Sequence, residues 1–175
     1  LILAGMIIVV FAIAYSAGPY PLSYKGLGDV AVFIFFGLVA VNLTYYVQAL
    51  HFCIEVFWGS VAIGLLSVNI LMVNNYRDVE ADRLSGKKTV VVRFGHTFAR
   101  YAYLFNGVVA LLCTVDIWFS YNFWSIGAAI LFFCVHIITW RQMCILKGTA
   151  LNPVLGKTAR NLLIFTIFLS IFLIL

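Results

Sequence analysis

An all-α bundle of membrane-spanning helices is the fold class this sequence predicts, and three observations carry it. The 175 residues are 65% hydrophobic and 10% charged, with a mean hydropathy of +1.10, against roughly 25% charged residues in soluble domains. Apolar runs recur at close to the roughly 20 residues needed to cross a bilayer. The lysines and arginines, finally, fall on one side of the resulting topology. Such a chain cannot be a water-soluble globule, and its natural solvent is lipid.

The chain opens LILAGMIIVV, inside an apolar run and without Met, a basic n-region or a cleavage site, so this stretch is not expected to be a signal peptide. Residues 1–15 are expected to be the end of a helix, in a chain that continues a longer protein. Ser16 to Gly28 (SAGPYPLSYKGLG) holds two prolines and three glycines and reads as a loop. Apolar runs follow at about 29–49, 53–74, 98–118, 123–143 and 159–175. The expectation is six spans or part-spans in a single transmembrane domain over 1–175.

The basic residues test this count. With a crossing at every run, the loops 16–28, 75–97 and 144–158 share one side of the membrane. Every Lys and Arg lies in this set or within a turn of it: Lys25, then Arg77 to Arg100, then Arg141 to Arg160. That set is therefore expected on the cytoplasmic side. The +5 charge is not spread as in a nucleic-acid binder, and no nucleic-acid partner is expected. Cys53, Cys113, Cys134 and Cys144 stand singly, without a CxxC pair, as small packing residues.

Polar residues inside the runs are few. Asn42, Thr44 and Gln48, with Ser67 and Asn69, suit interhelical hydrogen bonds. His136 reads as a satisfied structural histidine, and Asp29 as a helix-start residue. The polar exception is Asn74 to Gly95, NNYRDVEADRLSGKKTVVVRFG. Asp78 and Asp82 stand four apart, so on a helix both carboxylates project from one face, at a hydrated mouth. Arg77, Arg83, Lys87, Lys88 and Arg93 surround them. Two hard oxygen donors among cations suit a magnesium-bridged phosphate, with aspartates on the metal and cations on the phosphate. Asn75, one turn before Asp78, is a further candidate metal ligand. The competing reading is a solvated loop that is basic for topological reasons alone.

This stretch resembles the second aspartate-rich motif of the UbiA superfamily of intramembrane prenyltransferases, with Asp78 and Asp82 as its Asp-x-x-x-Asp pair. The pattern NNxRDxxxDRxxGKxTxxVRxG is most similar to the 1,4-dihydroxy-2-naphthoate branch, and so are PYPLSYKGLGD with the FFG and YYVQ elements after it, and LNPVLGKTARNLL near the end. The resemblance implies a nine-helix fold of which the runs here are the fourth to ninth, and a first aspartate-rich motif upstream of Leu1, so that this stretch alone is not catalytic. It also implies Mg²⁺ as cofactor and transfer of a prenyl group from a prenyl diphosphate to 1,4-dihydroxy-2-naphthoate, with loss of CO₂ and diphosphate. Other aromatic acceptors (4-hydroxybenzoate, homogentisate) remain the alternative within that chemistry, and a membrane transporter or scaffold the alternative outside it.

On this reading Asp78 and Asp82 are the catalytic pair, and Arg77, Lys87, Lys88 and Arg93 bind the diphosphate. Tyr20, Tyr24 and Lys25 either orient the acceptor or anchor their loop at the interface. Phe33, Phe36, Ile63 and Leu66 line the prenyl tail. The expected setting is a bacterial cell membrane, with the site open to the cytoplasm.

Overall fold

The computed structural model describes residues 5–6, 8–11, 13, 24–120 and 123–174, and among them every regular element is helical. The helices are α1 (Gly28–Ala49), α2 (Ile54–Arg77), α3 (Val79–Leu84), α4 (Val90–Cys113), α5 (Val115–Ser120) and α6 (Phe123–Ile145), with a 3₁₀ turn at Gly148–Leu151 leading into α7 (Asn152–Ile174). Four helical stretches are long and apolar enough to cross a membrane: Gly28–Ala49, Ile54–Arg77, Phe123–Ile145 and Gly148–Leu173. They match four of the six expected runs. The described residues of the run at 1–15 are helical, and the rest of that run lies outside the described residues.

The run expected at 98–118 differs. Its helix begins at Val90, because the Thr89 hydroxyl caps it by accepting the Val92 N–H at 3.3 Å. It bends at Gly95 (φ 81°, ψ 174°) and ends before Thr114, where α5 takes over. The Thr114 hydroxyl donates to the Ala110 carbonyl and accepts the Trp118 indole N–H, both at 2.8 Å, which closes the junction.

Lipid supplies no water to backbone groups, so the spans are helical. It also supplies no hydrophobic drive between helices, so close approach and polar pairs hold them together. Helix α2 is central, with α1, α4 and α7 packed on it. Asn42 donates to Ser60 Oγ at 2.7 Å, joining α1 to α2. Asn69 donates to the Tyr103 carbonyl at 3.0 Å and accepts from Asn106 at 2.9 Å, joining α2 to α4. Asn161 donates to Thr139 Oγ1 at 2.8 Å, joining α7 to α6. His136 is buried with its ring stacked on Tyr103 at 4.8 Å and Nε2 3.2 Å from the Tyr103 carbonyl, a packing residue as the sequence reading favoured.

The three polar loops meet at one end of the bundle. The Lys88 N–H donates to the Tyr24 carbonyl at 2.8 Å, the Arg93 guanidinium to the Lys25 carbonyl, and Arg77 Nη1 to Asn152 Oδ1 at 2.8 Å. Of the four expected tail-lining residues, Phe36 lines an apolar groove of about 500 Å³, together with Phe11, Val32, Phe35 and Ala40. Leu66 instead lies in one core cluster, and Phe33 packs against another, around Met72 and Tyr76, because both face neighbouring helices.

Helix α1 widens to π geometry over Phe33–Val39, and within that stretch Gly37 meets α2 at Gly64. A methyl group on Gly37 would meet the Gly64 Cα and lie 2.8 Å from the Ser60 carbonyl oxygen, both backbone atoms that no rotamer change can move. Gly37→Ala is therefore expected to lower the stability of the detergent-solubilised protein by about 1–3 kcal/mol. Gly127→Ala, where nothing lies within 4 Å of the added carbon, is the control expected to cost nothing. Equal unfolding midpoints for the two variants would count against the α1–α2 contact.

Candidate active site

The site begins where α2 runs out. Asp78 (φ −99°, ψ 12°) leaves helical geometry and forms the joint between α2 and α3. The backbone ladder survives the bend: the Asp78 N–H bonds the Asn74 carbonyl at 3.0 Å, and the Asp82 N–H bonds the Asp78 carbonyl at 2.8 Å. The two aspartates thus keep their one-turn spacing across a joint rather than along one straight helix. Gly86 (φ 76°) then closes α3 in a left-handed turn, with Lys87 N–H to the Asp82 carbonyl at 2.9 Å and Gly86 N–H to the Arg83 carbonyl at 3.2 Å. This paired pattern ends helices at a C′ glycine. Its consequence is positional, because Lys87 is folded back over Asp82.

Each carboxylate has its own cation. Arg77 grips Asp78 with two prongs, Nε to Oδ1 at 2.7 Å and Nη2 to Oδ2 at 2.6 Å, and also reaches Asn74 Oδ1 at 2.8 Å. Hydrogen bonding from Arg77 holds the Asp78 carboxyl below its ordinary range. The pair's contribution is therefore present above the unfolded carboxylate value and is lost only as pH falls through the depressed one. Lys87 Nζ lies 3.0 Å from Asp82 Oδ1, and that bond raises the Lys87 ammonium above its ordinary value. Here the contribution is present below the ordinary ammonium value and is lost as pH rises through the raised one. The Asp82 side chain is 7% exposed and that of Lys87 34%. Asp82 is thus enclosed rather than at a hydrated mouth as expected, since the turn through Gly86 lays Lys87 across it. Of the four cations expected on a phosphate, Arg77 and Lys87 are paired with these carboxylates.

Beside this pair is a polar cavity of about 200 Å³, lined by Asp29, Asn74, Asn75, Lys87 and Thr89 with Leu71 as an apolar wall. Asn75, expected as a metal ligand, lines this cavity. Asp29, read as a helix-start residue, is in the first turn of α1 and also faces the cavity. The one signal for it in sequence was a carboxylate at the head of an otherwise apolar run. Tyr24 holds its ring 5.6 Å from the Lys87 ammonium. Arg93 is engaged with the Lys25 carbonyl and clamps the loop. Lys88 is exposed. Tyr20 lies outside the described residues. Among the described residues no three His, Cys, Asp or Glu side chains come together as a metal cage.

The Lys87–Asp82 pair generates a stability prediction. Lys87→Met strips the counter-charge from an enclosed carboxylate and should cost roughly 1–3 kcal/mol, below the value for a fully buried pair because Lys87 is itself a third exposed. Lys88→Met, one residue on and exposed, should be neutral within about 0.5 kcal/mol. Chemical unfolding in detergent reads both, and a Lys87→Met protein as stable as the parent would dissolve the assignment.

The chain is similar in sequence to known proteins. The model of the UbiA prenyltransferase family matches residues 1–153. The 1,4-dihydroxy-2-naphthoate octaprenyltransferase of Escherichia coli (strain K12) is 34% identical over 169 residues, covering 94% of this chain and 54% of that protein. The enzyme of the same name from Haemophilus influenzae is 33% identical over 174 residues (95% and 55%), and that from Mycobacterium tuberculosis 41% over 111 residues (63% and 37%). The chain spans about half the length of the first two relatives. No solved structure matches it. The chain belongs to the UbiA prenyltransferase family.

Proposed function

We propose that this chain is the part of a membrane prenyltransferase that carries one of its two aspartate motifs, and that the whole enzyme transfers a polyprenyl group from a prenyl diphosphate to 1,4-dihydroxy-2-naphthoate, giving the quinol form of demethylmenaquinone with release of CO₂ and diphosphate. The observation that carries the proposal is the pairing of Asp78 with Arg77 and Asp82 with Lys87, beside a polar cavity and at the end of the bundle where all three basic loops meet. The names of the relatives support the acceptor. The basic loops favour an opening on the cytoplasmic side of a bacterial cell membrane.

The donor set suits magnesium. Mg²⁺ takes one or two carboxylates, keeps several waters and completes its shell with substrate phosphate, so the absence of a three-carboxylate cage among the described residues is no obstacle. Asp78 and Asp82 would hold it, with Asn75 as a further ligand. When bound, the ion neutralises part of the charge that develops on the departing diphosphate.

The chain's own groups do the rest. Arg77 and Lys87 exchange their carboxylate bonds for diphosphate oxygens, which present the same hydrogen-bond acceptors with more charge. Lys88 and Arg93 add positive charge at the rim. The allylic C–O bond breaks with its electron pair leaving on the diphosphate. The ring carbon that bears the acceptor's carboxylate attacks the allylic cation. The C–CO₂ bond then breaks, its electrons restore the aromatic ring, and CO₂ departs. No nucleophilic Ser or Cys is needed. Enclosure at the membrane surface keeps water from capturing the cation.

Two measurements on the full-length protein test the proposal. Asp78→Ala and Asp82→Ala should each lower turnover by at least about a hundredfold, the cost of a lost metal ligand, and weaken Mg²⁺-dependent diphosphate binding. Turnover above about a tenth of wild type in either variant would remove that carboxylate from the metal site. The second concerns the acceptor. Tyr24→Phe and Lys25→Ala should raise KM for dihydroxynaphthoate more than for the prenyl diphosphate, whereas equal shifts would leave these residues as anchors of the loop. Preference for 4-hydroxybenzoate over dihydroxynaphthoate would overturn the acceptor.

A further inference from the structure

A second cavity, of about 480 Å³, opens at the same end of the bundle and shares no lining residue with the polar one beside the aspartate pair. It lies between the end of α2, α3, the turn before α7, and α4, which contributes His96, Thr97 and Arg100. The proposed chemistry leaves it unused. Two of the charges on its wall are already spent: Arg77 on Asp78, Asn74 and Asn152, and Glu80 on Arg83 at 3.3 Å. Two cations remain, Arg100 and Lys147. Arg100 is half-buried, and its Nε donates to the Tyr76 hydroxyl at 2.7 Å, with the guanidinium 5.7 Å from the Tyr76 ring. Among the described residues its two terminal nitrogens have no hydrogen-bond partner. Lys147 is exposed and makes neither a hydrogen bond nor an ion pair among them. A guanidinium pinned through one nitrogen is prepared to offer the other two, and its planar fork suits phosphate oxygens.

We propose that this cavity is the headgroup site of an anionic phospholipid of the cytoplasmic leaflet, with Arg100 and Lys147 on the phosphate oxygens. The site is independent of the reaction proposed above. Depth, shape and charge each favour a lipid over a soluble phosphate. The Trp140 indole N–H donates to the Arg100 carbonyl at 2.9 Å, and tryptophans gather at the level of the membrane surface. Thr97 is on the cavity wall, and Tyr101 and Phe105 follow it at intervals of four residues, so the three lie along one face of α4. Tyr101 and Phe105 are 66% and 65% exposed. That apolar stripe leads from the cavity toward the bilayer and suits an acyl chain, whereas a free phosphate has no use for it. Basic pockets between helices on the cytoplasmic side are where anionic headgroups settle, drawn by the charge of that leaflet. A bound phosphate joins α4 to the turn before α7 through two cations that otherwise repel each other.

The test is made on the full-length protein in detergent, titrated with phosphatidylglycerol or phosphatidylcholine, with bound lipid read by native mass spectrometry. Two cations in reach of the headgroup make the expected preference for phosphatidylglycerol at least about tenfold. Lys147→Gln gives up no contact in the fold and should weaken phosphatidylglycerol binding about fivefold, with phosphatidylcholine within about twofold. Arg100→Gln should weaken it at least as much. Arg141→Gln removes an exposed cation of α6 that is not on the cavity wall, and should leave both lipids within about twofold. If Arg100→Gln fails to fold because the Tyr76 hydroxyl has lost its partner, Lys147→Gln against Arg141→Gln decides alone. Equal affinity of the wild type for the two lipids overturns the inference, and so does an unchanged preference in Lys147→Gln. An equal loss in Arg141→Gln overturns it too, since general surface charge would then be the cause. Inorganic phosphate in large excess should leave the lipid bound, and displacement would make this a site for a soluble phosphate instead. A raised KM for the prenyl diphosphate in Lys147→Gln, with lipid binding unchanged, would give the cavity to the substrate and overturn the lipid.

Discussion

A carboxylate taken almost wholly out of water beside a bilayer must keep a counter-charge in reach, and Asp82 keeps Lys87. Much of the site follows from how the chain meets that demand. Lys87 reaches Asp82 because Gly86 turns the backbone left-handed, which bonds the Lys87 N–H to the Asp82 carbonyl at the same time. Two residues later Thr89 caps α4, so the direction of that helix is fixed by the same short turn. Helix α4 in turn presents Arg93 to the Lys25 carbonyl, while Lys88 meets the Tyr24 carbonyl. The loop that leads into α1 is therefore pinned to the turn that solves the charge problem.

The far anchor of α1 is apolar and lies deeper. Gly37 against Gly64, with Asn42 bonded to Ser60, sets the height of α1 on α2. The two helices run antiparallel. Eight residues back from Gly37 is Asp29, and eight on from Gly64 is Met72, whose neighbours Leu71, Asn74 and Asn75 line the cavity. The contact between two glycines therefore fixes which residues of α2 Asp29 can face. A side chain at either position would tilt α1 away and open the cavity, although neither glycine approaches the chemistry.

These two anchors mark the limit of what the sequence discloses. The spans follow from composition, because lipid forces backbone bonding within each run, and the one-sided cations orient them. The aspartate pair stands out as the polar exception in an apolar chain. The pairing of Arg77 with Asp78 and Lys87 with Asp82 was not legible, because five cations surround two carboxylates in the sequence and only the joint at Asp78 and the turn at Gly86 assign them. Asp29 could not be separated from an ordinary helix-start acid without knowing that α1 returns to the mouth of α2. The start of α4 moved for a local reason, the Thr89 cap, which a hydropathy pattern does not register.

The charges around the cavity say how a ligand can approach. Asp78 and Asp82 balance Arg77 and Lys87 charge for charge, and Asp29 on the cavity wall adds a carboxylate, so on the proposed reading a bare diphosphate gains no net positive charge from them. Lys25, Lys88 and Arg93 lie further out and draw anions to the rim without changing that inner balance. On that reading, a diphosphate can settle only with a metal cation that tips the balance positive, and its arrival frees Arg77 and Lys87 from the carboxylates they now hold.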